Sequence, residues 1–254
     1  MPPSYPVPWK LLFHLIPALA LNKRRSFGQD AHTCIAALGP KFKVFGKENI
    51  PSTGPCLVTT NHYSRSGFGA WWIALAISAV LPYEVLWMVT AAWTYPDKFR
   101  SQVVTPLTSW LFQRIARVYG FINMPPLPPD PKQTMERANA VRAVITHVKN
   151  IDRAVVGMAP EGMDFPGGRL GIPPAGVGRF MLHLSHFGLV FVPVGVFEMG
   201  EHFCIQFGPQ YHLETPAHLP SQERDRMASR IVMSHIADLL PADLHGEFGA
   251  NQSN

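Results

Sequence analysis

Three short runs of almost unbroken apolar character, Cys56-Leu57-Val58-Thr59-Thr60, Val155-Val156-Gly157-Met158-Ala159 and residues 189–196, constrain this chain more than any other feature. Each is of strand length and lacks polar alternation, so each demands cover on both faces. Between them lie segments with three- and four-residue apolar spacing, such as Met135, Ala138, Val141, Ile145 and Val148, which read as amphipathic helices. Buried strands alternating with helices define an α/β chain with a mostly parallel central sheet covered by helices on both faces. Residues 41–46, 84–90 and 202–207 supply further strands. Thr105-Pro106, a capping residue followed by a proline, is expected to open a helix running to about residue 118. The length of 254 residues suits one such domain. Residues 41–245 are expected to form it, preceded by an extended, mobile start (1–8) and helices up to residue 40, and followed by a frayed tail, 246–254.

The first two runs end on residues that carry chemistry. The run at 56–60 climbs into Asn61-His62-Tyr63-Ser64-Arg65-Ser66-Gly67. An imidazole, with an ordinary pKa near ~6.5, can take a proton at a strand end and later return it. A lone histidine there reads more simply as a buried side chain satisfied by backbone groups. About a hundred residues on, the second run ends in Pro160-Glu161-Gly162, and Phe191-Val192-Pro193-Val194 follows. In that order and spacing, over most of residues 41–210, these blocks resemble the glycerophospholipid acyltransferase family, the glycerol-3-phosphate and lysophosphatidate acyltransferases.

The resemblance implies transfer of a fatty acyl group from acyl-CoA or acyl carrier protein to a hydroxyl of a lipid or small acceptor. No cofactor is implied beyond that co-substrate. His62 would be the general base, Asn61 or the loop amides after it would stabilise the oxyanion, and Glu161 would hold the acceptor or the loop. Ser64, Ser66, Pro160 and Gly162 fall at motif positions around the substrate. The family's Asp, five residues after the histidine, is Gly67 here, and Met124 stands where an acceptor-binding Arg is expected. Asp164 lies near a point where family members carry Arg, and residues 172–174 lack the family's Lys. Arg65 and Arg169 remain as phosphate donors, and the departures imply an acceptor other than a glycerol monophosphate. One exchange would preserve the chemistry: Asp164 orients His62 in place of the carboxylate missing at Gly67, with Glu161 and Ser66 as rivals. The alternative is a non-catalytic lipid- or acyl-carrier-binding protein on the same fold.

Residues 9–25 combine a short apolar run with Trp9 and Lys10 at one end and Lys23-Arg24-Arg25 at the other. The run falls short of the ~20 residues needed to span a bilayer, so it is expected to lie in the interface, as a peripheral anchor on the cytoplasmic face of a membrane. A helix packed on the domain, or a signal peptide, reads the same stretch differently. The net charge of +5 suits a lipid surface or phosphate-bearing partners, and no nucleic-acid-binding signature is present. Three unpaired cysteines argue against a disulfide framework, and the scattered histidines, His183 and His186 included, lack the spacing of a metal site. Nothing in the sequence sets an oligomeric state.

Overall fold

The computed structural model of the chain describes residues 2–6, 9–95, 97–127 and 130–249. Among them, β1 (Phe42–Phe45), β2 (Cys56–Thr60), β3 (Leu86–Thr90), β4 (Ile122–Met124), β5 (Val155–Met158), β6 (Val190–Met199) and β7 (His202–Phe207) form one sheet. Their order is β1-β7-β6-β2-β5-β3-β4. Every pairing is parallel except the β6–β7 hairpin. β2 lies between β6 and β5, and all residues of β2 and β5 are buried, as unalternating apolar runs require. Phe191, Val192, Val194, Leu57 and Val156 are fully enclosed, and each such side chain contributes about 1.5–3 kcal/mol over exposure. The middle of the sheet is therefore the least yielding part of the molecule.

The helices are α1 (Trp9–Leu21), α2 (Phe27–Ala36), α3 (Trp71–Val80), α4 (Lys98–Tyr119), α5 (Thr134–Asn150), α6 (Val177–His186) and α7 (Ser221–Ala237). α6 and α7 approach closely because Gly178 has no side chain: a Cβ there would stand 2.0 Å from the Asp225 carbonyl oxygen. Across that contact the buried Asp225 carboxylate accepts the amides of Gly176 and Arg179, each at 2.8 Å, and so caps α6 from α7.

One sequence expectation is corrected, and two others fall partly within the described residues. α4 begins seven residues before Thr105, where the Asp97 side chain accepts the Arg100 amide at 2.9 Å, and Pro106 sits inside it. The proline forfeits one helical bond, but it and Gln102 lie on the exposed face, so the carbonyl left without a donor is not sealed in the core. In the start expected to be mobile, the Tyr5 ring packs on Phe68, Trp72 and Phe203, and residues 1, 7 and 8 lie outside the described residues. Gly246–Phe248 form a 3-10 turn, with Phe248 packed against the core. Of the tail expected to fray, residues 250–254 lie outside the described residues.

Candidate active site

In the parallel register of β2 and β5, each β2 residue faces the β5 residue 99 positions later. Carried past the strand ends, the same offset brings the two motif loops together. Glu161, 1% exposed, accepts the His62 amide at 2.7 Å through Oε2 and the Gly171 amide at 2.8 Å through Oε1. Burial pushes the Glu161 carboxyl up, against the two amides that pull it down. Its inward aim is local: the Gly162 amide donates to the Ala159 carbonyl at 3.1 Å, a turn with Pro160 second and Gly162 last. Glu161 therefore holds the loops, with one backbone amide on each oxygen.

Two residues past Gly162 the same loop delivers Asp164. Its Oδ1 lies 2.7 Å from His62 Nδ1. The distance suits charge pairing, but the two groups are not aligned as a hydrogen bond. Contact with the imidazole lowers the Asp164 carboxyl, and desolvation opposes that less strongly. The Ser64 hydroxyl donates to the Phe165 carbonyl at 3.4 Å, further tying the loops. Ser64, Ser66, Phe68, Ala70, Asp164 and Phe165 line a groove of about 580 Å³. Gly67, at φ +80°, is the third residue of a turn closed by the Phe68 amide on the Arg65 carbonyl at 3.1 Å.

Two of the expected site residues are engaged by neighbouring strands and loops. Asn61 is fully buried, with its amide nitrogen donating to the Val196 carbonyl at 2.8 Å and its oxygen accepting the Val196 amide at 2.7 Å. It clips β2 to β6, and its burial keeps the second N–H of the amide out of contact with solvent. Arg65 is paired with Glu198 through Nε at 2.5 Å and Nη2 at 2.8 Å, and also donates to the Ser66 and Pro3 carbonyls. Four of its five N–H groups are committed in this way, and the side chain lines the groove. Arg169 is exposed, and among the described residues it has no hydrogen-bond or ion-pair partner. Met124 ends β4, opposite Thr90 of β3.

Glu198 is the functional neighbour that sequence reading missed. Its side chain, 7% exposed, also accepts the hydroxyls of Tyr5 at 2.5 Å and Tyr63 at 3.3 Å. Burial leads the causes that push the Tyr63 phenol up to about 12, with Glu198 adding to it. The available signal was a single charged residue in the apolar run of β6.

Fold and site together define an α/β protein with a histidine–carboxylate pair at the carboxyl edge of a mostly parallel sheet, the edge where such sheets gather functional loops. No family model matches the chain, and no curated protein matches it. Among solved structures it is similar to the 1-acyl-sn-glycerophosphate (LPA) acyltransferase PlsC from Thermotoga maritima. The identity is 16%, the TM-score is 0.48, and the match covers 84% of this chain and 77% of that one. A likeness at that level carries no activity over to this chain.

Proposed function

We propose that this protein transfers an acyl group from a thioester, acyl-CoA or an acylated carrier protein, to a hydroxyl of a lipid or small acceptor. The observation that carries the reading is the 2.7 Å approach of Asp164 to His62 Nδ1 beside the groove that Asp164 lines. A carboxylate at Nδ1 leaves the other ring nitrogen free to act as base. That nitrogen takes the acceptor's hydroxyl proton as the oxygen attacks the thioester carbonyl. Collapse of the tetrahedral adduct breaks the carbon–sulfur bond, and the proton returns to the leaving thiolate. The oxyanion falls to the amides of Ser64 to Gly67, which make no hydrogen bond among the described residues. The off-line His62–Asp164 contact is of the kind that tightens only when substrate is bound.

Mass-spectrometric thioester-transfer assays with a panel of hydroxyl acceptors test this. Acylated product is expected from the wild type, and His62→Ala is expected to abolish it. Retained lipid without product in the wild type overturns the reading in favour of a binding protein. Efficient turnover of lysophosphatidate would separately overturn the expectation that the acceptor is not a glycerol monophosphate, since Arg65 is largely committed to Glu198 and to the Ser66 and Pro3 carbonyls.

A further inference from the structure

The loop that carries His62 is held from two sides. Its side chains alternate as in an extended chain. His62 and Ser64 turn toward the 160–165 loop, where they meet Asp164 and the Phe165 carbonyl, while Tyr63 and Arg65 turn toward Glu198, the last residue but one of β6. Glu198 takes Arg65 side-on, with Nε on Oε2 at 2.5 Å and Nη2 on Oε1 at 2.8 Å, a two-point grip that fixes the plane of the guanidinium. At Arg65 the chain enters the turn that the Phe68 amide closes. Ser66 and Gly67 at its tip are exposed, and their amides are among those assigned to the oxyanion. A tip without hydrogen bonds of its own takes its position from its two ends.

Residues 2–6 reach both of those ends. The Pro3 carbonyl accepts Arg65 Nη2 at 3.1 Å where the turn begins, and the Tyr5 ring stands edge-on, 5.3 Å from that of Phe68, where it closes. The Tyr5 hydroxyl donates to Glu198 Oε1 at 2.5 Å, so strap, turn and β6 meet at one nearly buried carboxylate. Trp72 of α3 and Phe203 of β7, 5.0 Å and 5.5 Å from the Tyr5 ring, give it a seat on fixed elements. Arg65 and Phe68 line the groove, whereas Pro3 and Tyr5 do not, so the strap acts on the groove from outside it. We infer that this strap is a working part of the site: Tyr5 and Glu198 are positioning residues that hold the 65–68 turn, and the transfer rate depends on the strap being seated. The inference rests on the acyl-transfer reading for the rate, and not for the geometry of the turn.

Full-length wild type, Tyr5→Ala and Tyr5→Phe are compared in the thioester-transfer assay, with melting followed by circular dichroism. Tyr5→Ala is expected to lower kcat about 10²-fold, the cost of a small misplacement of groups that meet the transition state, while KM for the thioester stays within about twofold. Tyr5→Phe keeps the ring on Phe68 and is expected to regain most of that loss. Should Tyr5→Ala fail to fold, Tyr5→Leu, which keeps apolar bulk in the seat, takes its place. Hydrogen exchange at the Phe68 amide is expected to quicken in the same variant, because its bond closes the turn. With an active wild type, an unchanged kcat in the folded variant overturns the inference, as does a loss carried wholly by KM. A wild type that forms no product overturns the acyl-transfer reading instead, and Phe68 exchange then decides for the strap: exchange unchanged from wild type overturns it.

Discussion

Asp164 reaches His62 from a different loop than the one whose motif position is empty, and the consequences can be tested residue by residue. Asp164→Asn is expected to lower the rate by roughly 10⁴-fold, the loss seen when the carboxylate of a histidine pair is neutralised, read as single-turnover acyl transfer. Restoring a carboxylate at position 67 looks from sequence like a rescue, and the structure revises that. Gly67 sits at φ +80°, where a side chain costs about 1–2 kcal/mol, and a Cβ there would stand 3.5 Å from Arg65 Nη1. Gly67→Asp in the Asp164→Asn background is expected to pair with Arg65 and to recover little activity. The pH dependence follows from the lowered Asp164 carboxyl. Its stabilising share is present above the unfolded value near 3.8 and fades as pH falls through the lower folded value. Urea midpoints of wild type and Asp164→Asn are therefore expected to differ at mildly acidic pH and to converge as the pH falls below the lowered Asp164 value.

Loops and strand ends are tied down by buried polar clips. Asn61→Ala would leave the Val196 amide and carbonyl without partners between β2 and β6, a loss of about 2–4 kcal/mol read from chemical denaturation. The N-terminal strap is held by the same logic. Tyr5, Tyr63 and Arg65 converge on the nearly buried Glu198, and Arg65 also accepts the strap into the site by donating to Pro3. Removing the cation with Arg65→Gln strands that carboxylate and is expected to cost about 3–5 kcal/mol. Tyr5→Phe leaves the ring packing in place and is expected to cost about 1 kcal/mol. Hydrogen exchange in the 62–67 loop is the measurement, with faster exchange expected in the Arg65 variant than in the Tyr5 variant.

Across the whole molecule, truncating the N-terminal segment tests the expected lipid anchor and the packing of Tyr5 together. Deleting residues 1–25 is expected to reduce vesicle binding and also to lower Tm by several degrees, because it removes the docked Tyr5 along with the exposed face of α1. Circular-dichroism melting beside sedimentation checks both.

What the amino-acid order settled by itself is whatever depends on near neighbours. The unalternating runs of β2, β5 and β6 demanded a sheet covered on both sides, and Pro160 and Gly162 dictated a turn whatever surrounded them. The parallel pairing of β2 with β5 then placed the two motif loops at one edge. Tertiary structure alone decided how the polar groups were shared out, because a buried amide or guanidinium goes to whichever partner packing supplies. Asn61 went to Val196, Arg65 to Glu198 and the docked N-terminal strap, and Asp164 to His62. None of these pairs lies closer than 62 residues in sequence, so no local pattern could announce them; Asp164 on His62 was expected only because the resemblance left Gly67 without its carboxylate. The start of α4 was hidden for a different reason: Pro106 read as a helix start, when Asp97 had already capped one and the proline's lost bond fell on the outer face.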